Sequence, residues 1–187
     1  YDAARDQAEA MVSLAREISW VRGVSYGKIV RGEVALARSA FARSYQILQE
    51  SQAELAQLSD DPWDVNPSAW LGLAARGLER QPETWRHFST ALEWAGRNHQ
   101  FYELMVALAG IALLLADEGK AERGMELYAL ASRYPLVANS HWFEDVVGRH
   151  IAAVTATIHP QVAAAAQERG RGRDLVATVG ELLVELG

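Results

Sequence analysis

The hydrophobic pattern of residues 101–134 sets the reading of the chain. Between 101 and 116 there is no Pro, and 104–116 is apolar almost all round, which predicts a helix buried on most of its faces. Asp117, Glu118, Gly119 and Lys120 predict a turn, with Gly119 free to take the positive φ that ends the helix. From Ala121 the apolar Met125, Leu127, Tyr128 and Ala131 alternate with Glu122, Arg123 and Glu126 at helical spacing. The segment is an αα-hairpin whose first helix is too apolar to stand alone, so it requires helix pairs on both sides.

The same patterning recurs. Residues 1–18 predict a helix with Ala4, Ala8, Met11, Leu14, Ala15 and Ile18 on one face; 20–38 and 41–58 predict two more, joined by a turn at Ser39. Residues 59–67 read as a loop by their Asp, Asn and Pro content, and Trp63 within it is expected to be partly exposed. Helices follow at 68–79 and 83–95, with breaks at Arg80, Gln81 and Pro82 and at 96–99. The within-hairpin turns Ser39, Arg80 and Gly119 lie 41 and 39 residues apart. Five residues on stand Ser44, Trp85 and Gly124, of which the Trp departs; eight on stand Ile47, Phe88 and Leu127. A helix-pair period of about 40 residues signals a solenoid, in which each pair buries its face on its neighbours. The expected fold is all-α, nine to eleven helices and no sheet, with helical repeats over 1–134. Leu113 and Leu127 are expected in its core.

Residues 135–187 break the period. Pro135 ends the last hairpin, Asn139 or Ser140 caps a helix to about 158, and Pro160 opens a short helix to 168. Gly170, Arg171, Gly172 and Arg173 read as a loop, and Asp174 caps a final helix. This segment is expected to cap the solenoid. The chain begins without Met, already in helical pattern, which reads as a piece cut from a longer protein at a repeat boundary. The face of Ala4, Ala8 and Met11 is then left uncovered and invites weak self-association.

The strings Gly32-Glu-Val-Ala-Leu-Ala-Arg-Ser-Ala-Phe-Ala-Arg-Ser, Leu71-Gly-Leu-Ala-Ala-Arg-Gly-Leu-Glu-Arg-Gln-Pro-Glu-Thr and Ala109-Gly-Ile-Ala-Leu-Leu-Leu-Ala-Asp-Glu-Gly-Lys-Ala-Glu-Arg resemble tetratricopeptide-like repeats. They look like the longer variety found C-terminal to the NTPase in bacterial STAND signal-transduction ATPases, including the maltose-regulon-activator type. His141-Trp-Phe-Glu-Asp-Val-Val-Gly-Arg-His-Ile-Ala-Ala-Val and Ala163-Ala-Ala-Ala-Gln-Glu-Arg-Gly-Arg-Gly-Arg-Asp-Leu are similar to that family's closing helices. The resemblance implies a right-handed superhelix and a non-enzymatic, cytoplasmic interaction or sensor module. Its concave groove would pass Tyr26, Ile29, Glu33, Trp70, Ala74, Val106, Ala109 and Leu113. That surface is mostly apolar, so the implied partner is an apolar helix or peptide, another part of the same protein, or a small effector. Buried contact anchored on Trp70 would then supply the affinity. A free-standing repeat scaffold without an NTPase is the alternative.

Composition narrows the function classes. The net charge of −6 disfavours a nucleic-acid binder, and the absence of Cys removes disulfide and thiol chemistry. No run reaches the length of a membrane span. No phosphate loop, HExxH or GxSxG is present, so neither catalytic residues nor a cofactor is expected. An all-helical enzyme would need Glu33, Asp145 and the histidines to converge. His87, His99, His141, His150 and His159 read as capping or surface residues rather than metal ligands. Asp60, Asp61 and Asp64 read as turn formers rather than a calcium loop. Arg169, Arg171 and Arg173 form a small basic loop, open either to solvent or to an anion or acidic partner. Most of the six Trp are expected between repeats.

Overall fold

The computed structural model describes residues 1–58 and 65–186, the Leu186 side chain excepted. It is 82% helix, with no strand among the described residues. Trp63 and the acidic turn at 60–64 lie outside the described residues. The first seven helices are α1 (Asp2–Glu17), α2 (Val21–Ala37), α3 (Phe41–Leu55), α4 (Ser68–Gly77), α5 (Gln81–Asn98), α6 (Phe101–Asp117) and α7 (Ala121–Ala131). A single turn, α8 (Pro135–Ala138), precedes a continuous run of α9 (His141–Phe143), a π-helical turn (Glu144–Gly148) and α10 (Arg149–Thr155). The chain closes with α11 (Pro160–Gly172) and α12 (Leu175–Leu186). With 141–155 counted once there are eleven helices among the described residues, packed in neighbouring pairs. Two compact units divide them, residues 1–103 and 104–187.

The helix ends repeat with a regularity that the residue types conceal. Ser19, Ser39, Glu79, His99 and Gly119 all have positive φ, between 54° and 79°, at intervals of 20, 40, 20 and 20 residues. Each is followed by a residue whose amide reaches back five positions. Trp20 donates to the Ala15 carbonyl at 2.7 Å, Ala40 to Ala35 at 2.8 Å, Arg80 to Ala75 at 3.0 Å, Gln100 to Ala95 at 3.0 Å and Lys120 to Leu115 at 2.8 Å. This is the Schellman closure, which satisfies carbonyls that a helix end leaves open. The donor residue is also the N-cap of the next helix where that cap is assigned, so these links are only two or three residues long. The second turn thus falls at Glu79, one residue before the Arg80 expected from sequence. Pro82 does not break the helix but occupies the first turn of α5, where its missing N–H has no role. Likewise α5 runs through Gly96 to end at His99.

With Glu79 as the turn, positions five residues on become Ser44, Thr84 and Gly124, all small and buried, and the Trp85 departure vanishes. These are close-approach points. Ser44 Oγ donates to the Gly32 carbonyl at 2.9 Å, and a Cβ on Gly124 would stand 2.6 Å from the Ala112 carbonyl oxygen, the same twelve residues apart. Leu48 fills the space over Gly32 and Phe88 the space over Gly72; both side chains are fully buried. A Cβ at either glycine would meet that side chain at 2.6–2.7 Å. One helix pair therefore repeats another in these contacts, 40 residues on. Polar ties add to the α2–α3 pair: Lys28, buried, holds Glu54 at 2.7 Å and Glu50 at 3.2 Å, and Ser51 Oγ donates to the Ser25 carbonyl at 3.0 Å.

Leu113 and Leu127 are buried, at 1% and 0% exposure. On α1 the buried face is Ala8, Val12 and Ala15, against α2; of the face expected to be uncovered, Ala4 is exposed, Met11 half-buried and Ala8 covered, and Leu14 and the capping Ile18 add exposed apolar surface. Of the described tryptophans only Trp70 is fully buried. In the C-terminal segment Ser140 is the cap, its Oγ accepting from the Phe143 amide at 3.3 Å, and Asp174 caps α12 by accepting from Ala177 at 2.8 Å. The helix after Ser140 ends at Thr155 rather than near 158.

The basic loop does not form. Helix α11 continues through Arg169 and Arg171 to Gly172, because Gly170 is where its backbone crosses α7; a Cβ there would collide with the Glu126 carbonyl. Arg169 donates to Glu126 at 2.7 Å and Glu122 at 2.8 Å. Arg173 pairs with Glu181 and donates to Thr178 at 3.0 Å, while Arg171 pairs with Glu168 at 3.0 Å. These arginines are committed to the chain's own carboxylates: Arg169 ties α11 to α7, Arg173 ties it to α12, and Arg171 pairs within α11.

Candidate binding site

The groove expected from the resemblance divides into buried and accessible residues. Ile29 on α2 and Trp70 and Ala74 on α4 are 5%, 1% and 0% exposed. In the second unit Val106, Ala109 and Leu113 on α6 are buried to the same degree. These six side chains are packed core, and a docked partner cannot reach them without displacing a neighbour. Tyr26 and Glu33, seven residues apart on α2, are the two of the set that remain partly accessible. The same 3.6-residue period describes a stripe facing a groove or the core, and these six side chains are buried.

Glu33 is the centre of what the structure assembles instead. Tyr102, at the start of α6, donates its hydroxyl to Glu33 Oε1 at 2.6 Å. Its ring meets Trp70 edge to face, with centroids 5.6 Å apart and planes at 64°. Three helices thus contribute: α2 gives the carboxyl, α4 the indole and α6 the phenol. Trp70 Nε1 is buried and makes no hydrogen bond among the described residues, although it lies near enough to Glu33 to favour the carboxylate. Glu103, next along α6, is 3% exposed.

The electrostatics follow from this burial. Withdrawal from water pushes the Glu33 carboxyl up to about 7, against the pull of the Tyr102 hydroxyl and the nearby Trp70 indole N–H; the Glu103 charge adds to the rise. Burial also raises Glu103. The Tyr102 hydroxyl is raised far above its ordinary range, first by burial and then by the Glu33 charge, so it remains a donor at every physiological pH. Glu33 therefore changes charge near neutrality while its donor stays fixed, and it does so beside a ring that is 37% exposed. A group of this kind can accept from a ligand donor as carboxylate or donate as acid. Tyr102 was missed from sequence because it stands 69 residues from Glu33 and just past a turn; helical phase relates residues within a helix, not between them.

A second polar cluster joins α3 to α5. Tyr45 donates to Glu83 at 2.8 Å and shares a 3.2 Å hydrogen bond with His87 Nε2, while the Arg80 guanidinium lies 5.1 Å from the Tyr45 ring centre. Burial lowers the His87 pKa and favours the neutral ring. This histidine is a buried brace rather than a surface residue. His99 is a helix terminator, and His159 Nδ1 accepts from the Gln161 amide at 3.4 Å to cap α11. Asp145 is paired with Arg149 on its own helix. Among the described residues no group of three His, Asp or Glu could hold a metal ion, and no helix is long and apolar enough to cross a membrane. No family model matches the chain, and neither a curated protein nor a solved structure matches it.

Proposed function

We propose that the chain is a non-enzymatic helical-repeat interaction module, a tetratricopeptide-like solenoid of αα-hairpins over 1–134 closed by a helical cap over 135–187. The observation that carries this reading is the recurrence of left-handed helix ends at 20-residue steps with matching contacts 40 residues apart. Recurrent local geometry generates a stack of like pairs, and stacks of this kind present extended surfaces for protein or peptide partners. The working surface in this reading is the edge of α2 and α6 around Tyr26, Glu33 and Tyr102. It is more polar than the groove expected from sequence, so its partner is a peptide or protein segment with polar as well as apolar side chains. In this reading, which rests on the sequence resemblance to the C-terminal region of STAND ATPases, the module belongs to a cytoplasmic regulator, where a partner preferring one state shifts the balance between states.

The reading frame that encodes the chain tests the regulatory part. An upstream phosphate loop, with nucleotide hydrolysis by the full-length product that changes in Tyr102→Ala, supports it. A frame with no NTPase rejects it in favour of a free-standing scaffold.

A further inference from the structure

The net charge of the chain is −6, yet one cleft on its first three helices is basic. It has a volume of about 200 Å3 and lies between α1, α2 and α3. Arg5 enters from α1, Arg31 from the middle of α2, Arg38 from the end of α2 and Arg43 from the first turn of α3. Glu9 is its one acidic lining residue, and Val34 and Ile47 give it apolar surface. The turn at Ser39 explains the convergence. Its Schellman closure reverses the chain in three residues, which brings Arg38 and Arg43 to one corner, and α1 packs on α2 beside them.

The four guanidinium groups are not equally occupied. Arg5 holds Asp2 at 3.2 Å and Asp6 at 2.8 Å, and Arg38 holds the same Asp2 at 2.5 Å. Arg31 and Arg43 make no ion pair among the described residues, and Asp2 and Asp6 are already engaged elsewhere. Arg31 also faces Glu9 and Glu17 in a neighbouring cleft and acts on the Glu50 carboxylate from a distance, yet both it and Arg43 line this cleft without an ion pair among the described residues. The field is reinforced by α3, which has no side-chain cap and no acid in its first turn, so its leading amides remain open. The planar fork of arginine matches two oxygens of a carboxylate or phosphate at once.

We propose that this cleft binds an oxyanion, carboxylate or phosphate, carried on a short apolar stem. Arg31 and Arg43 grip the anion, Arg38 and Arg5 hold the rim in place through Asp2, and Val34 and Ile47 receive the stem. Glu9 opposes the ligand and sets an upper limit on affinity. The proposal stands on the cleft alone, whether or not the chain acts as an interaction module.

Calorimetric titration of the chain with phenyl phosphate, benzoate and benzyl alcohol tests it. The expected result is saturable binding of at least one anion, none of the alcohol, and weakening as ionic strength rises. The anion that binds more tightly identifies the source as a phosphorylated or a carboxylate-bearing ligand. Arg31→Gln and Arg43→Gln should each weaken binding about tenfold, the scale of one charge-assisted contact. Glu9→Gln should strengthen it about threefold, since a rim charge of the ligand's own sign is removed. The two arginines hold no ion pair among the described residues, so melting should be unchanged in their variants; should either fail to fold, the Glu9→Gln gain still decides. Absence of saturable binding by both anions, or affinities unmoved in all three variants, overturns the proposal.

Discussion

Replacing Glu33 by Gln should alter how stability depends on pH. Gln keeps an oxygen that can accept from Tyr102 at the observed 2.6 Å geometry but cannot ionise. The Glu33 carboxyl moves from 4.5 to about 7 on folding. Because the folded value is the higher one, the folded state holds the proton more tightly. Glu33 then costs nothing well below pH 4.5, and its cost grows as pH rises to about 7 and levels off beyond. At 1.36 kcal/mol per unit, the shift corresponds to about 3 kcal/mol. For a chain of this size that is a melting-temperature difference of roughly 6–12 °C. Asp2, Glu50 and Glu83 are held below their ordinary values by Arg38, Lys28 and Tyr45, and these act in the opposite sense. They are common to both proteins and cancel in the difference. Denaturant unfolding of wild type and Glu33→Gln at intervals from pH 5 to pH 8 should give curves that diverge, with the variant progressively the more stable. Parallel curves would show that Glu33 ionises freely and that the burial argument is wrong.

Three further perturbations test the packing. Glu79→Gly should stabilise the chain by about 1 kcal/mol, because φ there is 58°, whereas Gly119→Ala, at φ 79°, should destabilise it by at least as much; chemical denaturation reads both. Gly72→Ala should cost about 1–3 kcal/mol, since the added carbon meets the fully buried Phe88 at 2.6 Å, while Gly96→Ala, with open space around it, should be neutral or stabilising. Leu113→Ala and Leu127→Ala should each cost about 2–5 kcal/mol in the same assay; a loss below 1 kcal/mol would place them outside the core.

What the sequence made legible were the helices and their period, since both are written in apolar spacing and turn residues. Gly119 and Pro160 announced their roles by residue type. Ser19, Glu79 and His99 did not, because Ser, Glu and His carry no preference strong enough to mark a left-handed residue. A usable signal lay four residues before these ends, in Ala15, Ala35, Ala75 and Ala95, whose carbonyls accept the closing bonds. The tail was misread because glycine signals a loop and also a close helix crossing; Gly170 is the second case. At the candidate site Glu33 was identified as the lone charge of the face, but its partners were not. Trp70 and Tyr102 reach it through packing between helices, which a one-dimensional pattern leaves undetermined.

Photo-crosslinking in the full-length gene product tests the central claim most directly. A photoreactive residue at position 26, on the edge that carries Glu33, is compared with one at Arg97, exposed on α5. If the edge of α2 and α6 is the interaction surface, position 26 should give one discrete crosslinked species, identified by mass spectrometry, that Tyr102→Ala weakens and that position 97 does not give. Equal labelling from both positions, or a discrete species from position 97 alone, would contradict the account.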